Sequence, residues 1–265
     1  MLVPALVGDP VGIRGSVTRC CHARFMARWT AGEVLAFDFE TTGIDRFNDV
    51  PVSYALVLVD AGVVVRSWSG LIDPGREIPT EATEVHGITS ERARVEGMPL
   101  DLAIATVTDA IVSAGRRGVP IAGMKLDYDL TMVDTQARLW WGHGLCERGW
   151  SGPVLDASVI DRHADAERRG PRTLTNLCEH YGVHLGHAHD ASADAIASAG
   201  VLFALAERFR DVGECDLERL HHQQIGWHRD WAKGYDEVRF TQCKGPLDPR
   251  DYIWPVAPAA LSTAA

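Results

Sequence analysis

The stretch from Val34 to Gly43, VLAFDFETTG, decides the fold class of this chain. Its apolar residues run directly into alternating acidic and aromatic residues and end at Thr-Thr-Gly, a pattern typical of a buried strand that ends at a site. Side chains alternate across a strand, so Asp38 and Glu40 project from the same face. Two carboxylates forced together at the end of a buried strand repel each other unless a cation neutralises them. Oxygen ligands of this kind suit Mg²⁺ or Mn²⁺ better than zinc.

Two later clusters decide between a metal site and the alternative, a pair of solvated acids at a strand end. Asp129 lies in GMKLDYDLTMV, and His189 and Asp194 lie in HAHDASAD. With Asp38 and Glu40 they make four carboxylates and an imidazole, the groups that metal-assisted phosphodiester hydrolysis requires. The sequence therefore predicts a nuclease.

The spacing of the third cluster predicts where its helix begins. Residues five apart on one helix point about 140° away from each other, so His189 and Asp194 could not share a site on a continuous helix. We expect a helix over Ala191–Arg208 that begins after His189 and is capped by Asp190 or Ser192. Asp194 then lies in the first turns, and His189 lies on the preceding loop.

These ordered motifs resemble those of the DEDDh (DnaQ-like) family of 3′→5′ exonucleases, which includes the proofreading subunit of bacterial DNA polymerase III. His189, five residues before Asp194, matches the histidine branch of the family; the other branch has a tyrosine four residues before the acid. The resemblance covers about Trp29 to Phe209 and includes LIDPGREIPTEATEVHGIT, VLDASVI and RTLTNLCEHYGV. It implies an α/β fold: a ribonuclease-H-like mixed five-stranded sheet flanked by helices, here with a C-terminal helical appendage.

The resemblance also implies a role for each motif residue. The family releases nucleoside 5′-monophosphates from a free 3′ end with the help of two divalent ions, Mg²⁺ or Mn²⁺. Asp38 would bridge both ions, and His189 would accept a proton from the attacking water, a task that suits imidazole because its ordinary pKa is about 6.5. The expected metal ligands are Asp38, Glu40, Asp129 and Asp194. The expected contacts to the terminal nucleotide are Thr41, Thr42, Val85, His86, Met124 and Lys125.

The second motif departs from the family in one respect. Relatives carry His-Asn five and four residues before the second-motif acid, where this chain has Met124 and Lys125. Lys125 would then reach a phosphate or point to solvent. Asp127 is the rival to Asp129 as metal ligand. We assign Asp129, because Tyr128 precedes it and a helical run follows it as in the family, and we expect Asp127 to be exposed or to cap a helix.

The substrate is open between DNA and RNA at this stage. The family includes proofreaders, RNA trimmers and scavengers of short oligonucleotides with the same site chemistry. We expect the 3′ end of single-stranded or frayed DNA, with RNA or short-oligonucleotide trimming as the alternative and a polymerase or another replication or repair protein as a candidate partner. A non-catalytic nucleic-acid-binding scaffold is disfavoured because all five motif positions are filled. The net charge of −10 argues against a broad electrostatic grip on DNA.

Composition favours a cytoplasmic enzyme. The 265 residues contain no apolar run near the roughly 20 residues that span a bilayer, so no membrane association is expected. Six scattered cysteines are too sparse for a disulfide framework and suit a reducing compartment. A zinc site is the alternative for one cluster, comprising Cys178, His180, His184, His187 and His189. Its spacings fit no ordinary zinc-finger pair.

We divide the chain into a tail over 1–28, an exonuclease domain over 29–209 and an appendage over 210–265. The tail is basic and has no sustained period, so we expect disorder there and a start at Met26 rather than a cleaved signal. Besides the helix after His189, the expected elements of the domain are strands 34–40, 52–60, 63–71, 119–122 and 153–156 and helices 98–114, 128–140 and 174–181.

The appendage predicts a helix followed by a tail. Its apolar stripe, at helical spacing, is expected to pack against the parent domain and comprises Leu217, Leu220, Trp227, Trp231, Tyr235 and Val238. His221 and His222 are expected on the helix surface. The Pro-rich end is expected to be tethered loosely through Trp254.

Overall fold

A mixed six-stranded sheet forms the centre of the molecule. The computed structural model describes residues 28–260; the expectations for the tail and for Met26 lie outside them. The strands are β1 (Glu33–Thr41), β2 (Pro51–Asp60), β3 (Val63–Asp73), β4 (Met98–Pro99), β5 (Ile121–Gly123) and β6 (Val154–Asp156), in the order β4-β3-β2-β1-β5-β6. β1, β2 and β3 are antiparallel, whereas β5 runs parallel to β1 and β6 parallel to β5. The expected fold class is confirmed.

Helices flank this sheet on both faces. They are α1 (Thr80–His86), α2 (Ser90–Glu96), α3 (Leu100–Arg117), α4 (Leu126–Trp141), α5 (Ala157–Ala164), α6 (Leu174–Tyr181), α7 (Ala191–Arg208), α8 (Arg210–Gly213) and α9 (Leu217–Thr241). α6 and α7 have the bounds that the sequence predicts, because the side chains of Thr173 and Asp190 cap their first turns. No helix in residues 28–260 is long and apolar enough to cross a membrane.

The sixth strand corrects the expected count of five. Met98 and Pro99 were expected to begin a helix, but they pair with Ile72 and Asp73 as β4. Proline has no N–H to donate and disfavours a helical backbone at the residue before it, so α3 begins only at Leu100. Four further helices, α1, α2, α5 and α8, were not predicted from the sequence; of these, α1, α2 and α8 are too short to show a clear helical period.

Each face of the sheet packs its own core. Leu35, Phe37 and Phe39 of β1 pack with α3 and α4, whereas Ala36 and Val34 pack with α7. Because side chains alternate along a strand, Asp38 and Glu40 lie on the α7 face. This places both acids on the side of the sheet from which the third motif approaches.

The appendage closes one edge of the sheet with hydrogen bonds. The backbone N–H of Val154 in β6 donates to Nδ1 of His221 (3.2 Å), and the N–H of Asp156 donates to Oε1 of Gln224 (2.8 Å). Nε2 of Gln224 returns a hydrogen bond to the Val154 carbonyl (2.9 Å). Side chains of α9 therefore satisfy the edge strand that would otherwise expose unpaired backbone groups.

This contact corrects two expectations for α9. The buried residues of the helix are Leu220, His221, Gln224, His228 and Ala232. Of the predicted apolar stripe Leu220 is buried, and Leu217 and Trp227 are partly buried against the core as expected, whereas Tyr235 and Val238 are exposed. His221 was expected on the surface but is buried, since a strand edge needs polar partners rather than an apolar stripe.

The Pro-rich end packs more closely than expected. Trp254 is 4% exposed and belongs to the core beside α3 and α4. The backbone N–H of Ala257 donates to Oγ1 of Thr131 in α4 (2.9 Å). Arg46, in the loop after β1, makes ion pairs with Asp127 of α4 (2.8 Å) and with Asp251 (2.6 Å). The Pro-rich end therefore packs against α4, the helix that carries the second motif.

Candidate active site

The second motif is tied directly to the first. Asp129 lies in the first turn of α4 and is 5% exposed. Its Oδ1 accepts a hydrogen bond from the backbone N–H of Phe39, the residue between Asp38 and Glu40 (3.2 Å). Asp129 is thus held against the strand that carries the other two acids, as the resemblance implied.

A residue outside the motifs positions α4. The carboxylate of Asp156 accepts hydrogen bonds from the N–H groups of Lys125 (3.1 Å), the N-cap of α4, and of Leu126 (2.8 Å), its first residue. The same carboxylate caps α5 by accepting from Ser158 and Val159. One buried acid therefore fixes two helix N-termini, and it does so at the point where α4 presents Asp129. The sequence showed Asp156 only as a family match, because its partners are about 30 residues away.

The third motif closes the site from the α7 side. Asp190 caps α7, accepting from the N–H groups of Ser192 (3.1 Å) and Ala193 (3.0 Å). His189 has a left-handed backbone (φ 65°), and its N–H donates to Oδ2 of Asp194 (3.2 Å). The potential ligand atoms of Glu40, His189 and Asp194 lie within 4.8 Å of one another.

The electrostatics show how closely the acids converge. Burial, followed by the negative charges of Asp129, Glu40 and Asp194, raises the pKa of Asp38 well above its usual range. Burial and the charge of Asp194 raise the pKa of Glu40 to about 7. Burial also raises the pKa of Asp129, and the hydrogen bond from Phe39 offsets this only in part. The pKa of Asp194 is raised as well, again chiefly by burial.

These groups fit a hard divalent cation. The donors are carboxylate oxygens with one imidazole, and Oδ1 of Asp194 is buried without a hydrogen-bond partner in the described part of the chain. A buried carboxylate oxygen left without a partner is costly unless something else occupies that position. A cation at this point would satisfy the oxygen and remove the mutual repulsion of the acids.

The zinc alternative finds no support in the arrangement of its residues. Cys178 is buried in the core beneath α7, and His180 contacts Asp165 (3.0 Å). Within residues 28–260, the one group of three or more residues placed to hold a metal is that of Glu40, His189 and Asp194. Of the zinc cluster it contains His189 alone.

A cleft of about 420 Å³ adjoins the acids and receives part of the predicted nucleotide site. His86 lines it; Nδ1 accepts from the Ile88 N–H (3.1 Å), and Nε2 is buried without a partner among the described residues. Burial lowers the pKa of His86; the main chain of Thr41 opposes this effect, and the nearby His189 adds to it. Val85 is exposed beside it.

The two threonines of the first motif are held by internal hydrogen bonds. Oγ1 of Thr42 donates to Asp49 (2.8 Å) and accepts from the Val50 N–H (3.1 Å). Oγ1 of Thr41 donates to the Gly43 carbonyl (2.7 Å). Their side chains therefore shape the loop after β1, and the backbone N–H of Thr42 donates to the Val50 carbonyl (2.9 Å).

The residues before Asp129 lie elsewhere. Met124 packs against the α7-side core, and Lys125 is exposed with a left-handed backbone (φ 58°); neither lines the cleft. Asp127 was expected to be exposed or to cap a helix, which is wrong. It is largely buried because it pairs with Arg46, a partner supplied by a distant loop.

Comparisons with known proteins identify the family of the chain. The family described as exonuclease (RNase_T) matches residues 35–202. The DNA polymerase III PolC-type protein of Lacticaseibacillus paracasei is 27% identical over 192 residues, which are 72% of this chain but 12% of that protein. The uncharacterized exonuclease CP81 of Escherichia phage 186 is 27% identical over 202 residues, which are 72% of this chain and 97% of that protein.

Solved structures share the fold. Exonuclease I from Methylocaldum szegediense superposes with a TM-score of 0.57 at 21% identity, over 79% of this chain and 46% of its own. E. coli exonuclease I in complex with a dA16 oligonucleotide gives 0.56 at 21% identity, over 75% and 44%. The chain thus spans less than half of these structures and about one eighth of the PolC-type protein. The matched stretch contains all three acidic motifs, and the chain belongs to the DnaQ-like exonuclease family.

Proposed function

We propose that this protein is a metal-dependent 3′→5′ exonuclease that releases nucleoside 5′-monophosphates from the single-stranded or frayed 3′ end of DNA. The observation that carries the proposal is the group of Glu40, His189 and Asp194, whose ligand atoms lie within 4.8 Å of one another at the cleft. Asp38 lies close enough to Asp129, Glu40 and Asp194 for their charges to raise its pKa. The similarity to PolC-type DNA polymerase III proteins favours DNA and a replication context. The exonuclease I structure that binds dA16 favours a single strand.

The carboxylates are proposed to hold two ions, Mg²⁺ or Mn²⁺. Asp38 would be shared between them, and Glu40, Asp129 and Asp194 would complete their ligands; Oδ1 of Asp194 is the buried oxygen without a hydrogen-bond partner among residues 28–260. When bound, the ions would acidify the attacking water and neutralise the charge that develops on the leaving oxygen. The chain's own part is to fix the ligands, which it does through the Phe39 N–H and the cap of α7.

His189 is proposed to accept the proton of the attacking water. It lies on the exposed loop before α7, and its ring reaches the same point as Glu40 and Asp194. The hydrogen bond from its own N–H to Asp194 fixes the backbone from which the ring projects. A positioned base of this type contributes roughly 10²–10⁴-fold to a rate.

The terminal nucleotide is proposed to lie against α1 and the end of β1. Because Nδ1 of His86 accepts from Ile88, its Nε2 carries the proton of the neutral ring and can donate to a substrate oxygen. Val85 offers an exposed apolar surface to the sugar or base, and Thr41 and Thr42 are proposed to border the scissile position. Contacts of this kind give weak sequence preference.

Matched DNA and RNA oligonucleotides with a 5′ label test the proposal. We expect a ladder that shortens from the 3′ end, nucleoside 5′-monophosphate as product, loss of activity with EDTA and its return with Mg²⁺ or Mn²⁺. Asp38→Ala should lower turnover by several orders of magnitude. Internal cuts, release from the 5′ end, or near-wild-type cleavage by the Asp38→Ala protein would refute it. A strong preference for RNA would move the assignment to RNA trimming.

A further inference from the structure

The cleft beside the acids is bordered from two sides. The loop that carries His189 and Asp190 borders it from α7, and Arg92 reaches it from α2, which packs against β3. Between them the cleft passes over Ser53 and Ser69 of β2 and β3. It therefore extends across the sheet face, beyond the position that the acids themselves occupy.

Arg92 is the only arginine or lysine among the residues that line this cleft in the described structure. Its Nε contacts Glu96 one turn later (3.2 Å), but both side chains are more than half exposed, so the pair adds little. Its two Nη groups have no protein partner within residues 28–260. A fixed positive charge with free donors thus lies in a cleft that is otherwise acidic or neutral.

The chemistry of a nucleic-acid 3′ end limits what this charge can meet. The terminal nucleotide ends in a hydroxyl, and the scissile phosphate belongs beside the acids and their ions. The remaining anions of the substrate are the phosphates upstream of the scissile one. A guanidinium binds phosphate through paired, charge-assisted hydrogen bonds.

We infer that Arg92 binds the phosphodiester immediately upstream of the scissile bond and so positions the strand. The inference rests on the proposed function and adds a residue to it. A contact to phosphate is independent of the base, so Arg92 would favour a strand with at least one internal phosphate without reading its sequence. It also gives an enzyme of net charge −10 one local point of attraction for a polyanion.

A cycle that removes the charge from each partner in turn tests this contact. Single-turnover release of the first nucleotide is measured for the wild-type and Arg92→Gln proteins, with an oligonucleotide whose upstream linkage is either phosphate or neutral methylphosphonate. We expect each single change to lower kcat/KM about tenfold, through KM, as for one charge-assisted hydrogen bond. The Arg92→Gln protein should lose nothing further on the neutral linkage.

Three controls sharpen the result. Arg94→Gln removes an arginine of the same helix that is exposed and pairs with Glu77 outside the cleft, and it should respond to the neutral linkage as the wild type does. Arg92→Lys should keep most of the coupling, because the charge remains. The slope of log KM against log salt should fall by about 0.7 in Arg92→Gln, the value for one phosphate of a single strand.

The outcomes separate the inference from the proposed function. If the wild type shortens DNA from the 3′ end but the two changes lower kcat/KM independently, or the coupling appears at a linkage farther upstream, Arg92 does not bind this phosphate. If the wild type releases no nucleotide from a 3′ end, the proposed function fails and the inference falls with it.

Discussion

His189 contributes to the site through its backbone as well as its ring. A left-handed conformation costs a residue with a side chain of the order of 1 kcal/mol, and at this position the N–H that it directs at Asp194 offsets the cost. Asp194 therefore does two things: it is a proposed metal ligand, and it fixes the loop from which His189 projects. The exchange of Asp194 should disturb both.

The two histidines of HAHD give a matched pair of variants. His189→Ala should keep metal binding and lose roughly 10²–10⁴-fold in kcat, because the positioned base is gone. His187→Ala should change kcat by no more than a few-fold, since His187 borders the cleft but is not among the residues placed to hold a metal. Steady-state rates with metal titrations measure both effects. Equal losses accompanied by release of stoichiometric zinc would show that the loop is a zinc site.

The two acids of DYD should fail in different ways. Asp129→Asn removes a proposed ligand and should abolish cleavage. Asp127→Asn should leave kcat within a few-fold but lower the free energy of unfolding by about 1–3 kcal/mol, because the buried Arg46 loses one of its two ion-pair partners. Rates and urea unfolding distinguish the two effects. The reverse ranking of the rates would mean that Asp127 is the ligand.

At the scale of elements, local signals set what the sequence could predict. α6 and α7 were placed to the residue because Thr173 and Asp190 are caps within their own segments. The start of α4 was placed two residues late, because the acid that holds its N-terminus, Asp156, belongs to a later strand. The buried face of α9 was missed for the same reason, since Gln224 finds its partner in β6.

The residues of the candidate site differ in the same way: some carry a local sequence signal, and others are brought in only by tertiary packing. The five motif residues could be assigned because each lies in a short stretch with its own spacing. Ser53, Ser69 and Arg92 carry no such signal, and only the antiparallel pairing of β2 with β3 and the packing of α2 bring them to one cleft.

The hydrogen bonds between Gln224 of α9 and the backbone of β6 predict an effect on stability. Gln224→Leu keeps the size of the side chain but leaves the Asp156 N–H and the Val154 carbonyl buried and unpaired, which should cost about 1–3 kcal/mol of unfolding free energy. Gln223→Leu, at the neighbouring position, should cost under about 0.5 kcal/mol. Urea unfolding monitored by circular dichroism measures both. Equal stabilities for the two variants would show that the hydrogen bonds between Gln224 and β6 do not stabilise the fold.

For the whole molecule, the raised carboxyl pKa values link stability to pH and metal. A group whose pKa is raised on folding favours the folded state when protonated, and that contribution is lost as pH rises through the folded-state pKa, about 7 for Glu40. Metal-free protein should therefore show a lower Tm at about pH 8 than at about pH 5. Mg²⁺ or Mn²⁺ should raise Tm more at the higher pH, because it binds the ionised acids.

Glu40→Gln is the control for this linkage. It removes one titrating group, so both the fall in Tm with pH and its recovery with metal should shrink. Differential scanning calorimetry in EDTA and in Mg²⁺ at both pH values gives four Tm values for each of the two proteins. A metal-dependent rise in Tm that is the same at both pH values would contradict the linkage.

The contacts that the Pro-rich C-terminal segment makes with α4 and with Arg46 imply an order of folding events during synthesis. Arg46 pairs with Asp251, which lies 205 residues later in the chain, and Thr131 bonds with Ala257, 126 residues later. A ribosome adds about 5–20 residues per second, so the strands and α4 emerge many seconds before the tail that completes their packing. For this period α4, which carries Asp129, can form in the nascent chain, but the C-terminal residues that pack against it are still missing. Limited proteolysis of ribosome-stalled chains of increasing length should show α4 becoming protected only after Ala257 has left the ribosome.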